Sequence, residues 1–530
     1  MANGIGVRSR ATGKYRAAIT TGMVVLLAAV ALPQVVLAQG LETDELLSRV
    51  ESLYLSSGYV MPTVSTPVSH LEIASLVERL ASHELAPGIA DEVARLQESL
   101  AAASDTMVTT VGVSAHPEYY LGVDRGAFVD QVAREDPFAT LLLMHGKVGG
   151  IFLVAEADLQ REWQYDSSTT NIPAPVSGNP LPFENNLMYV GYVFLPVAGT
   201  EITFGRQSVH IGPDPRDSLM VSSRIPFLDA LKLTLTLGNV KMTSVTSTIE
   251  NGRAGADVTL PASTNTYDFD INTIFYNVHY FEFIQPRYRI GIGSQVMLAR
   301  ANNNFHLGDF FPVFSWHNAD ITPNNMSLLA DVSAVVLPGL ELFLQIGLDD
   351  INGSIVGITD SGVPTIDAYI GGANYRFPAI PLRLHGVAGY THYLWGSFDL
   401  DDGLERAIWR LQADGPRMSM PLTSPYGPGA LWCDLSATGE WHAWSAELSY
   451  RLLGQIPGVS IYTTPYEQSD AIEATARVWN HRVGLQATYD WSFGNVSVAP
   501  ALVIDSGAAS FELEISAEVE HRFVRVHGAQ

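Results

Sequence analysis

The feature that most constrains this chain is a repeated alternation of apolar and polar residues. In the stretch LQATYDWSFGNVSVAPALVID (485–505), Leu485, Ala487, Tyr489 and Trp491 stand on every second position, with polar residues between them. Successive side chains of an extended strand point to opposite faces, so the stretch predicts a β-hairpin with one apolar and one polar face. Such a hairpin either packs inside a soluble sandwich or faces lipid on the outside of a barrel, with its polar face toward a watery lumen.

The same alternation returns along the chain in segments of about ten residues, the length that a tilted membrane strand requires. It recurs at residues 231–237, 340–348, 445–452 and 511–520. In the last of these segments, the acidic residues at 512, 514, 518 and 520 require a solvated face along a whole strand. That demand favours a barrel with an aqueous lumen over a secreted sandwich or solenoid.

Short and long links between these segments also alternate. The short links include residues 196–201, 337–341 and 493–495, and the long polar links cover 162–185, 248–268 and 399–432. Outer-membrane barrels show this asymmetry, with short periplasmic turns and longer extracellular loops. We therefore predict an all-β transmembrane antiparallel β-barrel of about 16–18 strands over residues 107–530. Phe523 is the expected end of its last pairing strand.

The N-terminus predicts export. Four basic residues precede an uncharged, mostly apolar stretch at 17–37 that ends in small residues, which is the layout of a signal peptide over residues 1–38. No later run is long and apolar enough for a membrane-spanning helix. The expected location is the outer membrane of a diderm bacterium, with membrane lipid and the barrel assembly machinery as partners. Loss of residues 1–38 would take the net charge from −25 to about −29, which disfavours nucleic acid as a partner.

Residues 39–106 differ in kind, because their apolar residues recur at intervals of three and four. We predict two or three short helices in the periplasm that begin near Thr43, Ser69 and Asp91, with breaks at Gly58 and at the Pro-Gly pair 87–88. Whether this segment closes the barrel or is a tethered bundle without a gating role stays open.

Several motifs resemble the Wzi-type capsule assembly family of outer-membrane proteins. They are the helical stretch PVSHLEIASLVERL and the segments TFGRQSVHIGPDPRDSLMVSSRIPFLDALKLTL (203–235), GDFFPVFSWHN (308–318) and NNMSLLADVSAVVLPGLELFLQIGLDDI (324–351). Ile211 stands where an aromatic residue is common in that family, and Asp214 where a second glycine would be. The resemblance implies a monomeric barrel of about 18 strands that associates with exported polysaccharide and helps to retain capsule.

The candidate glycan-binding residues lie in two of these motifs: Arg206, His210, Asp214 and Arg216 in the first, and Trp316, His317 and Asn318 in the second. By parity Arg206 would face lipid, so a bulge at Gly205 is expected to swing it inward. There it would lock onto Asp214 or Asp217, or offer donors to an anionic sugar. The Trp-His-Asn group suits a sugar ring, and a tryptophan of the interfacial girdle is its alternative.

Catalytic signatures are missing from the sequence: it has no G-x-S-x-G, H-E-x-x-H, P-loop or paired CxxC motif. Asp349 and Asp350 are expected in a solvated loop, and the single cysteine, Cys433, is a structural or incidental thiol. We expect a non-enzymatic protein without cofactor or metal. The alternative to a polysaccharide-binding scaffold is a passive porin, whose acidic lumen would favour small cationic or neutral solutes.

Overall fold

The architecture was obtained from a computed structural model. It describes residues 43–104, 106–121, 138–159, 165–166, 174–175, 187–197, 200–214, 216–222, 225–249, 273–300, 324–351, 364–378, 380–397, 406–411, 418–505 and 507–527. The predicted signal peptide and the Trp316, His317 and Asn318 group lie outside these residues.

The chain forms a closed antiparallel β-barrel of 18 strands, which confirms the predicted fold class. The barrel strands are β2 (Met107–Ala115) with its continuation β3 (Glu118–Leu121), β4 (Ala139–Lys147), β5 (Phe152–Leu159), β8 (Leu187–Val197), β9 (Thr200–Gln207), β11 (Leu228–Leu237), β12 (Val240–Ile249), β13 (Thr273–Ile284), β14 (Tyr288–Arg300), β15 (Asn324–Leu337), β16 (Leu340–Asp350), β17 (Ile366–Arg376), β18 (Leu382–Thr391), β21 (Ala430–Trp441), β22 (Trp444–Gln455), β23 (Val478–Trp491), β24 (Gly494–Asp505) and β25 (Ala508–His527). The described residues also form shorter strands: β1 (Ser65–Thr66), β6 (Tyr165–Asp166), β7 (Ala174–Pro175), β10 (His210–Ile211), β19 (Ile408–Leu411) and β20 (Met418–Pro421).

The alternation in the sequence sorts side chains to the two faces of this wall. In β23 the apolar residues Leu485 and Tyr489 are exposed on the outside, and Trp444 of the neighbouring strand lies 4.9 Å from the Tyr489 ring. On β25, Phe511 and Ile515 are exposed while Glu512 between them is buried on the lumen side. The outer face of these two strands is therefore apolar, as lipid requires, and their predicted orientation is confirmed.

The last strand is longer than the sequence indicated. Pairing of β25 with β2 continues through Val524 and Val526 to His527, which lies opposite Met107. The expectation that pairing ends at Phe523 is wrong. It rested on the change from apolar residues on outward positions to apolar residues on inward positions. At this end of the strand the inner face is itself buried, since Val108 opposite Val526 is 2% exposed, so valines on that face do not end the pairing.

The described residues include the helices α1 (Thr43–Ser57), α2 (His70–Ala81), α3 (Pro87–Ala103) and the single turn α4 (Asp470–Glu473). The Ser69 side chain caps α2 by accepting a bond from the amide of Glu72, as predicted. Helix α3 begins at Pro87, not at Asp91, because proline is favoured in the first turn of a helix, where its missing N–H costs nothing. None of the described helices is both long and apolar enough to cross a membrane.

Helices α1–α3 pack on the end of the barrel that carries the short links. The Gly339 amide, in the link between β15 and β16, donates to the Leu55 carbonyl of α1 over 2.8 Å. The Val60 amide donates to the carbonyl of Pro286 in the link between β13 and β14 (2.9 Å), and Arg79 of α2 reaches Asn239 in the link between β11 and β12 (3.2 Å). The helical segment is thus fixed to three turns of one barrel rim.

Candidate functional site

The long link between β9 and β11 turns into the barrel. We call residues 208–227 the inner segment, described except for positions 215, 223 and 224. Its residues Ile211, Leu219, Met220 and Val221 are each 0% exposed, as is Asp214. A link of this length would ordinarily be a solvated surface loop. Here it is core, because the barrel wall surrounds it.

Polar side chains of the wall bind the backbone of the inner segment. The Tyr276 hydroxyl of β13 donates to the Met220 carbonyl (2.7 Å), and the Gln295 amide group of β14 donates to the Leu219 carbonyl (3.0 Å). The Leu219 amide in turn donates to the Gln345 side chain of β16 (2.7 Å). These bonds satisfy a backbone that has left the sheet, which is what a buried loop requires.

The inner segment also reaches the opposite wall. The indole N–H of Trp432, on β21, donates to the carboxylate of Asp217 over 3.0 Å. In the order of strands around the barrel, β21 is nine positions from β9, halfway around. Gly389 leaves room for the indole, since a Cβ atom there would lie 2.1 Å from its ring. The inner segment therefore spans the full width of the lumen.

Loops from the other rim pack against the inner segment from the side away from the helices. The Ser222 amide donates to the Leu422 carbonyl (2.9 Å), and the Trp409 indole donates to the Phe227 carbonyl (2.8 Å). Trp395 and Trp409 belong to the same large apolar cluster as Leu219 and Met220. Two layers, one of them mostly apolar, thus cross the described part of the lumen.

A second connection joins the inner segment to the helical segment. We call residues 59–69, between α1 and α2, the strap. Its strand β1 pairs with β10 inside the barrel, Ser65 opposite Ile211. Buried Lys241 of β12 donates to Thr63 of the strap and to Glu72 of α2, and Lys232 of β11 donates to the Pro67 carbonyl over 2.6 Å. Charged wall residues therefore hold the strap in place.

An open space of about 340 Å³, the inner cavity, lies between the helical segment, the strap, the inner segment and the wall of β14–β18 and β21. His210 and Arg216 of the inner segment line it. The wall contributes Asn374, Arg376, Arg383 and His385, among others. The volume falls within the range of pockets that take small ligands.

Behind this lining Asp214 and His385 form a close pair. The Asp214 Oδ2 atom lies 3.4 Å from His385 Nε2, while His385 Nδ1 lies 2.7 Å from the Asn374 side-chain oxygen. Since Nδ1 must donate to that oxygen, a neutral His385 presents an acceptor to Asp214. Burial, with the neighbouring Asp217 carboxylate, raises the pKa of Asp214 to about 7. A protonated Asp214 can therefore donate to His385.

A smaller space of about 160 Å³ lies along β21–β25, and Arg216 borders it as well. Its lining carries both signs of charge, and the ion pairs there are long: Arg216 to Glu447 is 3.6 Å and Arg451 to Asp434 is 3.9 Å. Among the described residues no group of three or more His, Cys, Asp or Glu is placed to hold a metal ion.

The structure brings three of the predicted residues together and separates a fourth. His210, Asp214 and Arg216 lie in or behind the inner cavity, whereas Arg206 does not. The strand register runs through Gly205 without a bulge, so Arg206 stays on the outward face with Phe204. The predicted inward swing, and with it the lock to Asp214 or Asp217, is wrong.

Arg206 instead makes two bonds of 2.8 Å to the carboxylate of Asp229 on the adjacent strand and covers the Phe227 ring at 4.0 Å. A bidentate acidic partner neutralises an outward arginine near the end of a strand.

Asp349 and Asp350 also differ from the prediction of a solvated loop. Both lie on β16, and the Asp349 carboxylate accepts bonds from the Ser327 hydroxyl and the Gly396 amide (2.9 Å). Asp350 accepts the Tyr466 hydroxyl. They anchor the loops that close one rim of the barrel.

The sequence reasoning missed Asn374, Arg376, Arg383 and His385. The stretch NYRFPAIPLRLH could have indicated a basic site, because its two arginines flank a short turn and share one face of the hairpin.

These features define a large outer-membrane β-barrel with an internal segment across its lumen and a helical segment on its short-link rim. The fold is similar to that of Wzi from Escherichia coli, an outer-membrane protein involved in group 1 capsule assembly and a carbohydrate-binding β-barrel. The two structures align with a TM-score of 0.56 over 91% of this chain and 98% of Wzi, at 11% sequence identity. The resemblance seen in the sequence is thereby confirmed for the fold.

Two proteins of Pseudomonas aeruginosa, the outer-membrane protein OpdK and OpdO, overlap less. OpdK aligns with a TM-score of 0.41 over 79% of this chain and 100% of its own, and OpdO with 0.40 over 79% and 96%, each at 10% identity. Neither a protein-family model nor a curated protein sequence matches the chain.

Proposed function

We propose that this protein is a non-enzymatic outer-membrane scaffold that binds surface or capsular polysaccharide and helps to assemble it or hold it at the cell. The observation that carries the proposal is the inner segment, which is bonded to strands on opposite sides of the barrel. An 18-strand barrel without such filling leaves an aqueous channel. A protein built for diffusion gains nothing from a lumen crossed by a bonded apolar layer.

The inner segment is an integral part of the fold. Gln345, Tyr276 and Trp432 each hydrogen-bond it, and a hydrogen bond of this kind contributes about 0.5–1.5 kcal/mol. The segment is therefore expected to stay in place in the resting protein. The shared fold with a carbohydrate-binding barrel supports glycan as the partner.

The proposed orientation follows from the links. Short links of outer-membrane barrels face the periplasm, so we infer that α1–α3 lie there and that the loops around Trp395 and Trp409 lie at the cell surface. The protein would be inserted by the barrel assembly machinery, be surrounded by membrane lipid and act as a monomer.

Two measurements test this function together. Cells that lack the protein are expected to release surface polysaccharide into the medium, and the intact gene is expected to restore retention. In planar bilayers the intact protein is expected to show no large, stable conductance. A matched variant with residues 212–221 replaced by a short glycine-serine link is expected to conduct. Unchanged retention in the deletion strain, with porin-like conductance from the intact protein, would contradict the proposal.

A passive channel is the second candidate, favoured by the space along β21–β25. Glu514 and Glu518 of β25 are only half-buried on the lumen face, so that side holds water and negative charge. An acidic path favours cations. The channel function predicts a cation-selective reversal potential in the intact protein, and the scaffold function predicts no current to measure.

A further inference from the structure

We propose that the inner cavity binds an anionic saccharide, one or two sugar units that carry a carboxylate, with Arg376 and Arg383 as the partners of that carboxylate. The inference rests on the proposed function and names the chemistry of the glycan that the scaffold takes. It concerns the space between the helical segment and the inner segment, on the rim opposite the surface loops.

The first argument is charge. The whole chain has a net charge of −25, yet four arginines line the inner cavity (Arg216, Arg289, Arg376 and Arg383) against two glutamates, Glu51 and Glu341. Arg289 is neutralised in the wall, 3.4 Å from Asp331 and 3.7 Å from Glu282. A basic pocket in a strongly acidic protein concentrates anions where the rest of the surface repels them.

The second argument is a pair of like charges. Arg376 and Arg383 lie directly opposite each other across the β17–β18 hairpin, and both stand on the lumen face. Like charges in this position destabilise a sheet. The compensation within the described residues is partial: exposed Glu440 lies 3.6 Å from Arg383 and also attracts Arg376, as does Glu92, which is itself paired with Arg49. A carboxylate bound between the two guanidinium groups would remove the repulsion and gain charge-assisted hydrogen bonds.

The third argument is the next row of side chains along the wall. Asn374 and His385 lie opposite each other one step further into the lumen, and His385 lies opposite Ser436 of β21. Amide, imidazole and hydroxyl groups bond sugar hydroxyls in both directions. Tyr59 of the strap adds aromatic surface, against which the apolar face of a sugar ring can pack.

Access comes from the short-link rim. Ser48 and Glu51 on the cavity side of α1 are exposed, and so is Arg383 on the facing wall. A sugar can therefore enter between α1 and the β17–β18 turn without moving the inner segment. In the proposed orientation this entrance faces the periplasm, so the scaffold would hold glycan on its way outward.

The test uses the full chain in detergent micelles, with digalacturonate as the probe and neutral galactobiose and inorganic phosphate as comparison ligands. The double variant Arg376→Gln/Arg383→Gln is compared with Arg95→Gln, which removes an exposed arginine of α3 that does not line the cavity. Calorimetry is expected to show digalacturonate binding that the double variant weakens at least tenfold and the control variant leaves unchanged. The double variant is expected to unfold no earlier than the wild type, because it removes a repulsion.

Three results would overturn the inference: no digalacturonate binding by the wild type, equal binding by the double variant, or equal affinity for phosphate, which would mark a general anion site. The proposed function has its own readout, the retention of polysaccharide by cells. If the deletion strain loses polysaccharide and the double variant restores retention fully, the scaffold function stands and the assignment of glycan to this cavity fails.

Discussion

The two halves of the barrel lumen use polar residues in opposite ways. On β12–β16, lumen-facing residues such as Thr243, Ser333 and Gln345 are each 0% exposed, because the strap, the inner segment and the loops cover them. On β22–β25, the lumen-facing residues Glu447 and Glu514 stay partly exposed, although Glu512 and Ser516 on the same face are buried. One half of the wall is an interior surface with fixed partners, and the other is a partly wet surface.

The difference teaches what an alternating sequence leaves undetermined. An alternation of apolar and polar residues shows only that one face of the strand is polar. That face can contact water or a buried segment of the same chain. Burial makes each polar group depend on one partner, whereas water replaces a lost partner on a wet face. The same substitution should therefore have very different effects in the two halves.

We call the lumen wall of β12–β16 the filled half and that of β22–β25 the wet half. The largest expected effect on stability is that of Lys241→Met in the filled half. Lys241 is 2% exposed and is bonded to Thr63 and Glu72, so the change strands a carboxylate in a mostly dry site. Breaking a buried ion pair from one side costs about 3–5 kcal/mol. Urea unfolding in detergent should show this loss, and Lys241→Met/Glu72→Gln should recover part of it.

The matched control for this experiment is Arg49→Met, which breaks the exposed Arg49–Glu92 pair and should cost under about 1 kcal/mol. Equal losses in the two single variants would contradict the view that the strap is held in a dry part of the lumen.

Trp432→Phe should have the next largest effect. The change keeps an aromatic ring but removes the N–H that binds the buried Asp217, which should cost roughly 1–3 kcal/mol. Trp444→Phe is the control, since Trp444 is 55% exposed on the outer face. Thermal unfolding followed by near-UV circular dichroism would compare them. A Trp444 variant that loses as much as the Trp432 variant would show that the inner segment is not fastened to β21.

The barrel itself was readable from the sequence because its signal is local. In residues 485–491 and 511–520 the alternation shows, within ten residues, which side chains share each face of the strand. The structure confirms this division in both strands. Helix α2 was equally readable, since Ser69 and Glu72 lie three residues apart.

What could not be read depends on partners distant in sequence. Arg206 was expected inside because an outward charge is costly, but Asp229, 23 positions later, neutralises it across the sheet. The inner cavity is lined jointly by α1, the inner segment and the β17–β18 hairpin, which are distant in sequence. No single stretch of the sequence therefore predicts it. The apolar run LMVSSRIPF (219–227) within a long link was the available hint that this link is not a surface loop.

A pH effect of about 2 kcal/mol is expected from Asp214 between pH 5 and pH 8. Its pKa of about 7 in the folded protein lies above that of an unfolded aspartate. The folded state therefore holds the proton more tightly, so this contribution is complete below about pH 4 and is lost as the pH rises through 7. Wild type should lose more stability than Asp214→Asn over this interval.

Measuring both proteins at each pH cancels the titration of other groups, and unfolding in urea gives the difference directly. Identical pH profiles of the two proteins would mean that Asp214 is not buried beside His385. The dry part of the lumen would then not extend to this part of the inner segment.

The smallest expected effect lies in the wet half. Glu447 accepts a bond from Thr438 (3.1 Å) and lies 3.6 Å from Arg216, with both charged side chains about one-third exposed. Water can replace either contact, so Glu447→Gln should cost under about 1 kcal/mol, and added salt should shrink the loss further. Unfolding in low and high salt measures both. If Glu447→Gln instead costs as much as Lys241→Met and is insensitive to salt, the β22–β25 half is as dry as the other half. Arg216 would then fasten the inner segment across the whole lumen, and the channel function would lose the one observation in its favour.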